Sequence, residues 1–172
     1  MQRYAEAFSF LQSKKLYTVD DLENTLYAMQ DKIDTLKKSA SAKQARIKEV
    51  GELLRMVDYY KSGKPAADKL KSIRFEKSRQ KYKSEHDNEL RTFYMAERKL
   101  KPHFKDGKLP IAAWRKERAQ LEQDCKGIQT ELSPLYADVK KLWAIHYNIY
   151  EVQHERERKN AATRQKNQEI EH

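Results

Sequence analysis

The chain has 172 residues, enough for one ordinary domain or one elongated helical unit. Charged residues make up 36% of it, and four glycines with four prolines are too few for the frequent turns of a β-sandwich or β-barrel. The chain is instead rich in the strong helix formers Lys, Glu, Gln, Ala, Arg and Leu, so we predict an all-α protein. Because the mean hydropathy is only -1.03, its apolar residues should be concentrated on narrow stripes.

No apolar run approaches the length of a membrane-spanning helix, and residues 1–11 lack the apolar core of a signal peptide. The single cysteine, Cys125, cannot form an intrachain disulfide, which fits a reducing compartment. We therefore expect a cytoplasmic protein that makes no membrane contact.

The net charge of +10 is concentrated in the middle of the chain. Residues 1–60 carry 10 basic and 9 acidic side chains, residues 109–172 carry 11 and 10, and residues 61–108 carry 15 and 7. Residues 61–83, the basic segment, contain nine cations and two carboxylates. Such a block indicates a polyanionic partner. Nucleic acid is the partner that it favours most, followed by an acidic protein surface or a membrane surface. The alternative is a solvated helix face that has no partner. The nine candidate nucleic-acid-binding residues are Lys61, Lys64, Lys69, Lys71, Arg74, Lys77, Arg79, Lys81 and Lys83.

The first predicted element is a short amphipathic helix followed by a connector, in residues 1–17. Tyr4, Phe8 and Leu11 recur there at 4- and 3-residue spacing. Thr18 is then a suitable N-cap for a long helix, with acidic residues in its first turn where the helix dipole favours them.

The first long helix is predicted over residues 18–60. Its apolar residues keep an unbroken heptad spacing, which is typical of a coiled coil, and Lys43 is the one polar position among them. Residues 62–65 (SGKP) should end this helix, because glycine suits a C-cap and proline cannot continue the helical hydrogen bonding. The heptad positions are Val19, Leu22, Leu26, Met29, Ile33, Leu36, Ala40, Lys43, Ile47, Val50, Leu54 and Val57.

Residues 61–110 are predicted to form a basic helical tip. The weak apolar pattern of residues 66–83 indicates a short helix and an irregular segment, and residues 84–104 read as a helix that ends near Pro102. Residues 105–108 (KDGK) are predicted to form a turn.

A second long helix is predicted over residues 111–153, with a second unbroken heptad pattern. We favour one helix kinked at Pro134, although Ser133 could instead be the N-cap of a new helix. The wholly polar residues 154–172 are predicted to be disordered. The heptad positions are Ile111, Trp114, Arg118, Leu121, Cys125, Ile128, Leu132, Leu135, Val139, Leu142, His146, Ile149 and Gln153.

Two such patterns can bury each other if the helices fold back on one another. We therefore predict an elongated antiparallel coiled-coil hairpin, with the basic helical tip between its two long helices. A second aromatic line on the late helix suggests a further apolar surface, which favours a homodimer if no other helix covers it. This aromatic line comprises Tyr136, Trp143, Tyr147 and Tyr150.

No catalytic or metal-binding pattern stands out, so we predict a protein that is not an enzyme and needs no cofactor. Glu151 and His154 have the spacing of one half of a di-metal carboxylate motif, but such a site requires two of these motifs and further carboxylates. Cys125 and His146 occupy heptad positions, where a buried thiol and a structural polar contact are the simplest interpretations.

The order of elements resembles the C-terminal helical region of relaxases, the mobilisation nucleases of conjugative and mobilisable elements in Gram-positive bacteria. The likeness spans about residues 16–150. It depends on residues 16–23 (LYTVDDLE), 45–50 (ARIKEV), 58–61 (DYYK), 82–90 (YKSEHDNEL) and 107–110 (GKLP).

The resemblance implies an accessory role without catalytic residues, because the histidine-bound metal and catalytic tyrosine of the family belong to a nuclease domain upstream of this region. It implies contacts with transfer-origin DNA, with relaxosome proteins or with type IV secretion proteins. From the charges, we expect DNA binding by the basic segment, helped by Arg91, Arg98 and Lys99, through phosphates and with low sequence specificity. The alternative is a coiled-coil interaction or oligomerisation module with no nucleic-acid role.

Overall fold

A computed structural model describes the backbone of residues 2–170 and the side chains of residues 5–162. Within this range the chain contains no β-strand, so the predicted all-α class is confirmed. A 3₁₀ turn over Lys101–His103 precedes the last helix. The α-helices are α1 (Gln2–Ser13), α2 (Val19–Ser72), α3 (Glu76–Glu85), α4 (Asp87–Leu100) and α5 (Ile111–Ile170).

The chain divides into two compact units. Unit 1 comprises residues 1–38 and 128–172, and unit 2 comprises residues 39–127. The long helices α2 and α5 contribute to both units, and they pack together.

In unit 1, the core lies between the first turns of α2 and the middle of α5. Leu22 and Leu142 are almost completely buried there, because their heptad positions face the neighbouring helix. Helix α1 covers this core with Phe10 and Leu11. The predicted apolar stripe of α1 begins at Tyr4, whose side chain lies outside the described residues.

The N-terminus of α2 is closed by a reciprocal pair of hydrogen bonds. The Thr18 hydroxyl accepts a hydrogen bond from the backbone N–H of Asp21 at 3.0 Å, and the Asp21 carboxylate accepts one from the N–H of Thr18 at 3.0 Å. The hydroxyl of Thr18, followed by the N–H groups of Tyr17 and Thr18, lowers the pKa of Asp21 because these donors favour its charged form. The predicted N-cap is therefore confirmed.

Replacing Thr18 with alanine should lower the free energy of unfolding by about 1 kcal/mol. The backbone N–H of Asp21, which has no acceptor within the helix, would lose its hydrogen bond to the Thr18 hydroxyl. Thr18→Ser keeps the acceptor and should stay close to the parent. Urea unfolding followed by circular dichroism measures both, and equal stability of the two variants would contradict this role of the hydroxyl.

Unit 2 contains two apolar clusters. The first joins Val50 and Val57 of α2 to Leu100 of α4 and Trp114 of α5. The second, the tip core, joins the last turns of α2 to α4 and comprises Ala66, Ala67, Leu70, Leu90 and Phe93.

Two of the polar residues at heptad positions, Lys43 and His146, pair with carboxylates across the helices. In unit 2, Lys43 Nζ lies 2.6 Å from Asp124 Oδ2, which lowers the pKa of that carboxyl. In unit 1, His146 Nε2 lies 2.8 Å from Glu23 Oε1. The polar interruptions of the heptad patterns therefore do not leave a buried side chain without a partner among the described residues.

The predicted end of the first long helix at residues 62–65 is wrong, because α2 continues to Ser72. Gly63 is buried at a close approach to α4, where a Cβ would lie 2.7 Å from Phe93 Cβ. Pro65 removes one helical donor, but the tip core formed by the following residues offsets that loss. Here tertiary packing overrides the local stop signals.

The predicted helix over residues 84–104 is also wrong in detail. The chain bends over residues 73–75, forms α3, and breaks again at His86 before α4, so that Leu90 and Phe93 can face the last turns of α2. The predicted turn at residues 105–108 is confirmed by two backbone hydrogen bonds of 2.9 Å between Lys105 and Lys108. Asp106 and Gly107 both adopt positive φ there, as a tight turn between paired residues requires.

Pro134 lies inside α5, so no new helix begins at Ser133. Residues 154–172 were predicted to be disordered. This is wrong for residues 154–170, because α5 is helical as far as Ile170. The sequence of this stretch is rich in good helix formers, and Lys159 Nζ lies 3.4 Å from Glu155 Oε1 one turn away. Residues 171 and 172 lie outside the described residues.

Candidate nucleic-acid interface

The basic segment spans the end of α2, the bend and α3. Lys61, Lys64, Lys69 and Lys71 lie on the last turns of α2, and Arg74 lies in the bend. The remaining four cations, Lys77, Arg79, Lys81 and Lys83, lie on α3. The structure therefore distributes the nine residues over two helices and the bend between them.

The tip core holds the α2 part of this segment in place. Ala66, Ala67 and Leu70 point towards α4, where they meet Leu90 and Phe93. The lysines at intervening positions consequently face solvent. Helix periodicity thus separates an apolar buried side from a basic exposed side.

All nine cations are exposed, and most of them have no acidic partner. Arg79 lies 3.7 Å from Glu76, and Lys81 lies 3.9 Å from Glu85. These are loose, exposed pairs of the kind that contribute little stability. Among the described residues, no ion pair is formed by the other seven cations, which are Lys61, Lys64, Lys69, Lys71, Arg74, Lys77 and Lys83.

Two of the lysines are placed over aromatic rings. Lys64 Nζ lies 5.9 Å from the ring centre of Tyr60, and Lys69 Nζ lies 5.2 Å from that of Tyr82. Tyr82 also contacts the His86 ring at 4.2 Å and packs on the tip core. Its ring is therefore engaged by contacts within the chain rather than free to stack on a base.

Phe75 is the other aromatic residue of the basic segment, and its side chain is 78% exposed. It immediately precedes α3 and sits in sequence between Arg74 and the lysines of that helix. An exposed aromatic ring among cations can stack on an unpaired base while the cations hold phosphates.

Arg91, Arg98 and Lys99, the helpers expected from the sequence, are exposed on α4. In the described part of the chain none of the three forms an ion pair. Sequence reasoning missed Gly63, which positions the segment rather than binding a ligand. The available signal was its 3- and 4-residue spacing from Tyr60 and Ala67.

The other candidate groups make ordinary structural contacts. His154 pairs with Glu157 at 3.7 Å, whereas the sequence hypothesis placed it with Glu151. Cys125 is half-buried at its heptad position. Within the described residues, no group of three histidine, cysteine, aspartate or glutamate side chains could hold a metal ion. In the same part of the chain, no helix has the length and apolar character needed to cross a membrane.

Once these structural contacts are accounted for, the most distinctive remaining feature is the cationic, solvent-exposed surface that a packed helical core supports in unit 2. Comparisons with known proteins identify no family: no protein-family model matches the chain, and no curated protein or solved structure is detectably similar to it.

Proposed function

We propose that the chain is a non-catalytic accessory region of a conjugative relaxase, and that its basic segment binds transfer-origin DNA through phosphate groups. The observation that carries the DNA-binding part is the exposure of nine cations within residues 61–83, seven of which have no acidic partner in the described structure. Unpaired, hydrated cations of this density attract a polyanion and release its counterions on binding.

The relaxase part of the proposal rests on the sequence resemblance. Three of its stretches fall at structural junctions: residues 16–23 at the start of α2, residues 82–90 at the break between α3 and α4, and residues 107–110 before α5. A cytoplasmic location and contacts with relaxosome or type IV secretion proteins belong to the same proposal.

We further infer that α2 and α5 pair as an antiparallel coiled coil within each unit. Glu23 contacts His146 in unit 1, and Lys43 contacts Asp124 in unit 2. Lys32 also lies 2.6 Å from Glu131 in unit 1, and Arg46 lies 2.7 Å from Glu117 in unit 2, so within each unit later positions on α2 meet earlier positions on α5. This pairing direction, together with the buried heptad positions, supports the predicted hairpin geometry.

The test of DNA binding is the salt dependence of affinity. If about five phosphates are neutralised on duplex DNA, the log–log slope should be near −4.5, and raising the salt fourfold should weaken binding about 500-fold. Changing Lys69, Lys71, Arg74, Lys77 and Arg79 to alanine should flatten this slope and leave the helix content unchanged. Fluorescence anisotropy with labelled duplex and single-stranded oligonucleotides measures the affinity, and circular dichroism measures the helix content.

A matched control removes the same number of charges elsewhere. Lys38, Lys48, Arg115, Lys116 and Arg156 are exposed and scattered along the chain, so their replacement by alanine should leave the slope close to that of the parent. No binding at low salt would contradict the proposal. So would an equal loss in both variants, since net charge rather than the basic segment would then be responsible.

A second candidate function is a coiled-coil interaction or oligomerisation module with no nucleic-acid role. The exposed aromatic line of α5 favours it, because these four rings offer an apolar surface that the described chain does not cover. This alternative would be supported if the parent bound no DNA, and if the variant with five alanines in the basic segment still bound a protein partner.

A further inference from the structure

Among the described residues of unit 1, the aromatic line of α5 is the largest exposed group of apolar side chains. Tyr136 is 43% exposed, Trp143 49%, Tyr147 62% and Tyr150 51%. Their spacing of seven, four and three residues places them along one side of the helix. Tryptophan and tyrosine are the residues most enriched at the centres of protein interfaces.

Each end of the line is held by contacts within unit 1. Lys37 Nζ lies 5.3 Å from the ring centre of Tyr136, and Trp143 meets the His146 ring edge-on at 5.6 Å. Tyr150 contacts the His154 ring at 4.3 Å. These contacts restrict three of the four rings while leaving about half of each exposed, so these three have less side-chain entropy to lose on binding.

The described side chains of α1 do not cover the line. Phe10 and Leu11 of α1 pack on the unit 1 core, and Lys141 Nζ of α5 lies over the Phe10 ring at 5.2 Å. The aromatic rings of the line keep their exposure with α1 in this position.

The charges beside the line specify a direction for a partner helix. Lys140 and Glu151 are eleven residues apart, about three helical turns, so they lie on the same side of α5 and bracket Trp143 and Tyr147. Both are exposed, and in the described structure neither forms an ion pair.

We propose that two copies of this chain pair antiparallel along the aromatic line. A two-fold axis near Ile145 places Lys140 opposite the partner's Glu151, and it repeats this ion pair at the other end. The same register places Tyr147 opposite the partner's Ala144, so a large side chain meets a small one. A parallel arrangement would instead bring Lys140 against the partner's Lys140.

The size of the surface sets the expected strength. Four aromatic side chains of 150–250 Å², about half exposed, offer roughly 400 Å² per copy, which the flanking residues extend. Two copies would together bury roughly 800 Å² from these rings, which is below the roughly 1,200 Å² at which standard specific interfaces begin, so the dimer should be weak and form only at high micromolar concentration.

Sedimentation equilibrium of the full chain without nucleic acid tests the proposal. The mass should rise with concentration from 20.5 kDa towards twice that value. Tyr147→Ser should weaken association at least tenfold. Tyr27→Ser should leave it unchanged, because Tyr27 is a similarly exposed tyrosine of unit 1 that lies on α2, outside the line. A monomer at all concentrations would overturn the proposal, as would a dimer indifferent to Tyr147→Ser.

The direction of pairing has its own test. Lys140→Glu should weaken the dimer, because it faces the partner's Glu151 at both ends, and adding Glu151→Lys should restore the affinity. Failure of the double variant to recover would overturn the antiparallel register. None of these outcomes depends on DNA binding, so the two proposals can fail separately.

Discussion

Replacing Phe93 with alanine should lower the free energy of unfolding of unit 2 by about 3–5 kcal/mol. Phe93 is 2% exposed and lies in the tip core against Leu70 and Leu90. Its ring also stacks on Tyr60, with 5.0 Å between the ring centres. The substitution removes these contacts and leaves a cavity that the surrounding helices can close only in part.

The two tryptophans allow unit 2 to be observed alone. Trp114 belongs to unit 2 and Trp143 to unit 1, so urea unfolding in a Trp143→Phe background can be followed by the fluorescence of Trp114. Tyr94→Ala is the matched control, since Tyr94 follows Phe93 on α4 but is 40% exposed. A loss for Phe93→Ala no larger than that for Tyr94→Ala would show that the tip core contributes little.

The same substitution links stability to the proposed function. Because the tip core holds α2 against α4, Phe93→Ala should loosen the helices that carry the basic segment. Phosphate contacts depend on the cations being presented together, so weaker DNA binding should accompany the loss of stability.

Heptad spacing predicted the two long helices and the residues that they bury. Leu22, Ile33 and Val50 on α2 and Leu142 on α5 are all almost completely buried, as an apolar stripe at 3- and 4-residue spacing requires. The polar position Lys43 was also informative, because its ion pair with Asp124 satisfies a half-buried charge.

The stop signal at residues 62–65 misled because it is local, whereas the structure there depends on a neighbouring helix. Met56, Tyr60, Gly63, Ala67 and Leu70 continue at 4- and 3-residue spacing through the predicted break, and all are buried or half-buried. This second apolar pattern was present in the sequence. Recognising it required glycine and alanine to be counted as buried positions, which is reasonable only where two helices approach closely.

The sequence predicted which residues belong to the candidate site, but not which of them have an acidic or aromatic partner. Charge counting identified the nine cations, and their exposure follows from helix periodicity once the tip core is known. The absence of acidic partners for seven of them, within the described residues, depends on which helices meet. The engagement of Tyr82 by Lys69 and His86 has the same origin.

Replacing Gly63 with alanine should destabilise unit 2 by about 1–3 kcal/mol, the usual cost of overpacking a core. A Cβ at this position would lie 2.7 Å from Phe93 Cβ and 3.0 Å from the Glu89 carbonyl oxygen. One of these atoms belongs to the backbone and the other is fixed close to it, so neither can move aside without shifting α4.

Gly127→Ala is the control that separates this clash from helix propensity. Gly127 also lies inside a long helix, but a Cβ there meets no atom within 4 Å. Alanine should therefore stabilise the helix by roughly 0.5–1 kcal/mol, since glycine loses more backbone entropy on folding. Urea unfolding of the two variants should give shifts of opposite sign. If Gly63→Ala were also stabilising, α2 and α4 would not approach as closely as the structure has them, and the glycine would not explain why α2 continues to Ser72.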